Sequence, residues 1–389
     1  MKILVNPSPL LMPLTGIGQY IRSLFTAMYK MPDADINIYY GLRCEKGVRP
    51  LFSPTAQKVT RTLSVLQRLI PRARTLRRVA EKALFSHHTS SSAGQTLYHE
   101  PSYLPLPLPY NGPQVVTVCD LSCFDHPQTY PKERVELMQR NMPAAMAKAD
   151  HIMVISEATG AALQRWFNAD KSRITNTYLA ADPRFQPQPA DTLAVALASL
   201  GLTTEAYVLC VGTLEPRKNL TTLFLAYGEL PAALRQRYPL VVAGMSGWNT
   251  EALLKSAENL IRRGELRLLG YEADAVIPSL YPGAAAFFYP SRYEGFGLPA
   301  LEAMASGVPV ITSNQTSLPE VVGDAGLMFD PDDVDSLREQ LQRLLEDRAF
   351  AEMLGQRGLA LSRMFSWERC AKETFAVYEK VLQHRGGSS

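Results

Sequence analysis

Two acids, Glu294 and Glu302, frame a glycine turn, Gly295-Phe296-Gly297-Leu298. An apolar run over residues 284–290 ends just before the turn, and a helical run over 298–306 begins inside it. Backbone N–H groups at such a helix start can hold an anion. Upstream, Arg217-Lys218 closes the loop Gly212-Thr213-Leu214-Glu215-Pro216-Arg217-Lys218-Asn219. Two adjacent cations suit a diphosphate, above all one that leaves and gains charge in the transition state. Glu302 suits hydrogen bonds from ribose hydroxyls. Glu294, nearer the turn, suits orienting a sugar ring or offsetting positive charge on a reacting carbon. A lone Glu on a helix is usually solvated or matched to the helix dipole. Two of them around a Gly-x-Gly turn, with Arg-Lys upstream, read instead as a site. No Asp-x-Asp sits where a metal would bridge a diphosphate; Asp330-Pro331-Asp332-Asp333 reads as a loop and helix start. No metal and no cofactor is therefore assigned, and the basic pair is expected to do the metal's electrostatic work.

Strands and helices alternate along the whole chain. Strands are expected at residues 1–6, 36–40, 96–99, 114–119, 151–155 and 174–178, then at 207–211, 240–243, 266–269, the apolar run 284–290 and 310–312. Helices fall between them, with Ser156 as a cap for the one that follows it. Alternation of this kind predicts an α/β fold with doubly wound parallel sheets. Ligands then bind at the carboxyl ends of the strands, where the loops carrying Arg217 and Glu294 both begin. Gly16-Ile17-Gly18 follows the first strand. It reads either as a phosphate- or sugar-binding turn or as a tight turn needing positive φ. It lacks the third glycine of a dinucleotide fingerprint.

The 389 residues exceed what one core usually holds, so two domains are expected. A stretch rich in Pro, Ala and Asp, residues 182–204, marks the break. The resulting division is 1–184 for a first half, 185–204 as linker, 205–366 for a second half, and 367–389 as a final helix. Hydrophobic residues make up 46% and charged residues 20% of the chain, ordinary values for a globular protein. No apolar run is long enough to span a bilayer. Five cysteines without metal-type spacing fit a reduced compartment.

Net charge is +3, yet residues 1–190 hold 22 Lys+Arg against 13 Asp+Glu, while the remainder holds 18 against 24. Much of the excess sits in a helical stretch with Arg61, Arg68, Arg72, Arg74, Arg77, Arg78 and Lys82. Such a stretch either lies on an anionic membrane surface or forms a solvated basic face over the core. Nucleic acid is not expected, because no aromatic platform is interleaved with the basic residues.

Taken together, these motifs resemble glycosyltransferase family 4, retaining enzymes of the GT-B fold. The resemblance rests on Thr15-Gly16-Ile17-Gly18-Gln19-Tyr20, on the loop from Gly212 to Asn219, on Gly247-Trp248, on Glu294 through Pro299 with Glu302, and on Leu318-Pro319-Glu320-Val321. It covers nearly the whole chain and is nearest to bacterial members that use GDP-sugars. It implies two Rossmann-like domains facing a cleft, residues 1–184 binding the acceptor and residues 205–366 the nucleotide-sugar donor that is the substrate. Arg217 and Lys218 would hold the diphosphate, Glu302 the ribose, and Glu294 with Phe296 to Leu298 the donor sugar or phosphate. The helix from about Trp367 would cross back to the first domain. Retention would follow front-face attack, in which the departing phosphate takes the acceptor proton.

The family commonly has His-Asp where this chain has Cys119-Asp120. Asp120 joins Glu294, Arg217 and Lys218 as a catalytic candidate. Cys119 joins Gly16, Gly18 and Gly212 on the donor-binding side. The family's His is expected near the donor's 6-hydroxyl, and a thiol is a weak partner. An unpaired sugar hydroxyl in a closed site would cost about 1–3 kcal/mol. The donor is thus expected to be a mannose-type hexose or its 6-deoxy relative D-rhamnose, both GDP-linked. The acceptor would be a lipid-linked oligosaccharide of O-antigen synthesis, at the cytoplasmic face of the inner membrane. A nucleotide-sugar 2-epimerase shares the architecture, and a non-catalytic nucleotide-sugar-binding protein is the further alternative.

Overall fold

A computed structural model describes residues 1–6, 8–11, 16–32, 34–39, 44–47, 96–103, 110–248, 250–270, 272 and 275–386. The basic stretch from Arg61 to Lys82 lies outside them. The strands are β1 Lys2–Val5, β2 Asp35–Tyr39, β3 Cys44–Glu45, β4 Thr96–Glu100, β5 Gln114–Val118, β6 His151–Val154 and β7 Ile174–Asn176, followed by β8 Val208–Val211, β9 Leu240–Ala243, β10 Leu266–Gly270, β11 Ala286–Tyr289, β12 Val310–Ser313 and β13 Leu327–Phe329. The helices of the first half are α1 Gly16–Met28, α2 Ser122–Asp125, α3 Lys132–Lys148 and α4 Glu157–Phe167. Those that follow are α5 Ala190–Ala198, α6 Leu220–Gly228, α7 Ala232–Arg237, α8 Glu251–Arg262, α9 Ile277–Leu280, α10 Leu298–Ala305, α11 Leu318–Val322, α12 Val334–Glu346, α13 Arg348–Ser362 and α14 Trp367–Gly386.

Two sheets result, in the orders β3-β2-β1-β4-β5-β6-β7 and β10-β9-β8-β11-β12-β13. Among the described residues all strand pairings are parallel except that of β2 with the short β3. Parallel strands covered on both faces are apolar throughout. The burial pattern agrees: β5, Gln114-Val-Val-Thr-Val, is buried along its whole length. Neighbours along a strand serve opposite cores, since side chains alternate across a sheet. Val208 and Cys210 face one core of the second sheet and Leu209 the other. The expected fold class, two Rossmann-like parallel sheets, is the observed one.

Strand order reverses between β1 and β4 in the first sheet and between β8 and β11 in the second. Loops diverge at such a reversal and leave a crevice at the carboxyl edge. The final helix α14 packs its apolar face, including Trp367, Cys370, Ala371 and Tyr378, into the core that holds Ile3, Val5 and α1. Trp367 Nε1 donates to the Ala181 carbonyl at 3.1 Å, and Arg385 Nε donates to Asp150 at 2.9 Å.

Gly16 and Gly18 depart from the turn assigned to them. They open α1, and neither has positive φ. Tyr20 explains the earlier start: it is buried one turn before Leu24 and bonds Thr117 Oγ1 at 3.0 Å, which extends the apolar stripe of Ile21, Leu24, Phe25 and Met28 backwards. Ser156 caps α4 as its position suggests, accepting from the Thr159 N–H at 3.1 Å.

Candidate functional site

The loops after β8 and β11 meet at the reversal of the second sheet. The Arg292 N–H donates to the Arg217 carbonyl at 2.9 Å and joins them. Lys218 Nζ then reaches Glu294 Oε1 at 2.7 Å and the Tyr289 hydroxyl at 2.7 Å. Arg217 Nη1 lies 3.0 Å from Glu294 Oε2 and also donates to the Tyr293 carbonyl. Its Nη2 lies 2.6 Å from Glu215 Oε1. All four charged side chains are about a tenth exposed. Burial alone would raise the Glu294 carboxyl, but Arg217 and Lys218 outweigh it and hold the group at about 2. Burial also opposes the Arg217 charge, and Glu294, Tyr130 and Glu215 overcome it, so its pKa rises. For Lys218, burial prevails over Glu294 and the pKa falls.

The cluster is balanced, two cations against two carboxylates. The sequence reading left the basic pair free to meet a diphosphate; in the fold both cations are already paired. Arg217 Nε remains buried without a hydrogen-bond partner, a donor suited to a phosphate oxygen. Gly212 lies against the Lys218 stem. Among the described residues no group of His, Cys, Asp and Glu is placed to hold a metal ion.

The turn after Glu294 needs its glycines. Gly297 sits at φ +100° as the N-cap of α10, a left-handed conformation that favours glycine. Glu294 is gripped through its backbone: its N–H donates to Thr316 Oγ1 at 3.0 Å, and its carbonyl accepts from Ser317 Oγ at 2.9 Å. Glu302, on α10, is buried and accepts from the Tyr281 hydroxyl at 2.8 Å. The side chains of Phe296 and Leu298 turn into the apolar cluster that contains Ile3, Tyr20 and Trp367, leaving their backbone for any ligand.

Opposite stand the loops after β5 and β6. Gly295 packs on the Cys119 carbonyl and Asp120. Asp120 Oδ2 accepts from Tyr103 OH at 2.6 Å, and Oδ1 accepts from the Ser122 N–H at 3.0 Å. Cys119 points elsewhere: its thiol is buried 3.7 Å from the Pro101 carbonyl, and burial raises its pKa. Further contacts join the halves. Tyr293 OH lies 3.4 Å from the Leu121 nitrogen, and Trp248 Nε1 donates to the Thr129 carbonyl at 2.5 Å.

The fold therefore brings together Arg217, Lys218, Glu294 and Gly295, with Asp120 and the Cys119 backbone facing them. Gly16 and Gly18 stand at the first turn of α1, where Gln19 and Arg22 contact Asp182. Sequence reasoning missed Glu215, Tyr103, Tyr281, Tyr289, Thr316 and Ser317. Glu215 and Tyr289 carried a signal, since both lie beside strand ends already marked as ligand loops.

The family model described as "Glycosyl transferases group 1" matches residues 197–360. The "O-antigen chain mannosyltransferase B" of Escherichia coli is 37% identical over 388 residues, covering 97% of this chain and 100% of the relative. The "Serotype-specific mannosyltransferase WbdA" of Escherichia coli is 35% identical over 247 residues, 62% of this chain and 30% of that protein. Among solved structures, WaaG, a glycosyltransferase involved in lipopolysaccharide biosynthesis, aligns with a TM-score of 0.68 at 17% identity, over 96% of this chain and 98% of its own. At that identity the likeness is one of fold.

Proposed function

Since this chain belongs to the group 1 glycosyl transferases, we propose that it moves a mannose-type hexose from a GDP-sugar to a lipid-linked oligosaccharide in O-antigen synthesis, with retention and without a metal. The observation that carries the reading is the Arg217–Glu294–Lys218 cluster at the sheet reversal, with Asp120 facing it. The end-to-end likeness to an O-antigen mannosyltransferase supports the choice of sugar and pathway. Arg217, through its free Nε, and Lys218 receive the diphosphate. Glu302 takes the ribose, and the backbone of Gly295 to Leu298 lines the donor. As the sugar–phosphate bond breaks, the phosphate accepts the acceptor's proton, and Glu294 and Asp120 offset charge on the reacting carbon. The same loop-borne cluster speaks against an epimerase and against a purely binding protein.

One observation favours GDP-D-rhamnose as the donor. The Cys119 thiol is turned to the Pro101 carbonyl, so this residue offers nothing to a 6-hydroxyl. A donor screen of purified protein with GDP-mannose, GDP-rhamnose, UDP-glucose and ADP-glucose tests both statements. Transfer from a UDP- or ADP-sugar alone overturns the GDP reading. Faster turnover of GDP-mannose than of GDP-rhamnose removes the 6-deoxy donor. The chain would work as a peripheral protein at the cytoplasmic face of the inner membrane, held by the basic stretch. Reversing the charges of Arg72, Arg74, Arg77 and Arg78 is expected to abolish flotation with anionic liposomes.

A further inference from the structure

Glu320 is a half-buried acid that the transfer reaction leaves without a task. It stands on α11, Leu318–Val322, in the second half of the chain, yet its carboxylate reaches the first half. Oε2 accepts from the Glu157 N–H at 2.9 Å and Oε1 from the Ala158 N–H at 3.1 Å. These are the first two N–H groups of α4, Glu157–Phe167. Tyr178 OH donates to Oε2 at 2.9 Å. The first N–H groups of a helix have no partner within it and carry the positive end of its dipole. Ser156 satisfies the Thr159 N–H from within the first half. Glu320 completes the cap from the other half.

The segment that carries Glu320 also holds Glu294. Thr316 and Ser317, directly before α11, grip the Glu294 N–H and carbonyl from both sides. Thr316 has a left-handed backbone, φ +52°, uncommon for a β-branched residue. Leu318 closes on Gly297, where any Cβ would come within 2.7 Å. Five consecutive residues thus touch the reacting cluster at one end and the opposite half at the other. Nearby, Thr159 Oγ1 lies 3.4 Å from the Gly295 carbonyl, so α4 meets the same turn.

We infer that Glu320 is a positioning residue: its cap on α4 holds the two halves closed and, through Thr316 and Ser317, sets the place of Glu294. This rests on the transferase reading for its effect on rate, though not for its effect on closure. Removing the carboxylate takes away the polar link between α4 and α11, leaving Val321 and the Thr159–Gly295 contact, so closure registers less firmly on Glu294. Nucleotide binding, which uses the second half, stays.

The test compares Glu320→Ala and Glu320→Gln with the full wild-type chain. Spin labels at Lys148→Cys and Glu339→Cys, with Cys44→Ser, read the distance between the halves by pulsed resonance, with and without GDP. Glu320→Ala is expected to lengthen and broaden that distance and to lower kcat about tenfold, the size of one charge-assisted cap. GDP affinity is expected to stay within threefold. Glu320→Gln, which keeps one accepting oxygen, is expected to recover part of both effects. An unchanged distance overturns the inference. So does a longer distance with unaltered kcat, or a loss of GDP affinity as large as the loss of rate. If the wild-type protein transfers from neither GDP-mannose nor GDP-rhamnose, the donor reading fails, while the distance measurement still decides whether Glu320 holds the halves together.

Discussion

At position 295 only a hydrogen fits between the two halves of the chain. A Cβ there would overlap the Cys119 carbonyl oxygen and come within 2.9 Å of the Asp120 Cβ. Gly295→Ala is expected to wedge the facing loops apart without entering either core. Transfer should fall by roughly 10²-fold, the usual cost of misplacing reacting groups by about an ångström, while the melting temperature moves little. Steady-state kinetics beside a thermal melt checks both, and unaltered kinetics would refute the close approach. Glu294 is a second residue whose behaviour follows from its neighbours. With its carboxyl held at about 2 it stays ionised through any working pH, so an acid limb in the rate near neutrality must arise elsewhere.

Among the elements, α14 binds the end of the chain to its beginning. The Tyr378 hydroxyl lies 2.6 Å from His99 Nδ1, whose Nε2 lies 2.8 Å from Thr117 Oγ1. His99 is fully buried. Tyr378→Phe leaves a ring nitrogen without its partner and is expected to cost about 1–3 kcal/mol, read as a lower urea midpoint. The strands and most helices were legible because parallel strands are short apolar runs and the helices between them are periodic. The common carboxyl edge of the loops after β8, β9 and β11 followed from that alternation. What pairs with what did not follow. Sheet order alone makes β8 and β11 neighbours, and only then do Arg217 and Lys218 meet Glu294. The short elements α7, α11 and β13 carry too few residues for a period, and α13 runs on from α12 across one capping residue, Asp347. The glycines of α1 misled because Gly-x-Gly after a strand is a turn signal, and the burial of Tyr20 that overrides it is a tertiary fact.

For the whole molecule, buried titratable groups in the first half pull stability in opposite directions with pH. Burial lowers His99 to about 3 from 6.5, so its contribution is complete above 6.5 and is lost as pH falls toward 3. Burial raises Glu100 to about 7 from 4.5, so its contribution is complete below 4.5 and is lost as pH rises through 7. Burial also lowers His151 to about 4, so between 6.5 and 4.5 Glu100 offsets only one of two histidine losses; below 4.5 those losses are unopposed and Glu294 adds to them. Urea midpoints from pH 3 to 8 are expected to change gently down to about 4.5 and steeply below. Glu100→Gln should make the upper range steeper, and a flat profile below 4.5 would contradict the assignment. The position of α14 has a consequence for how the protein is made. The core around Ile3, Val5 and Phe25 is walled partly by Trp367, Ala371 and Tyr378. On the ribosome the first sheet therefore waits with an apolar face uncovered while the entire second half is synthesised, on the order of ten seconds or more at about 5–20 residues per second. During that wait the nascent chain is expected to need holdase chaperones, and a product that stops short of Trp367 would leave the same face open for good.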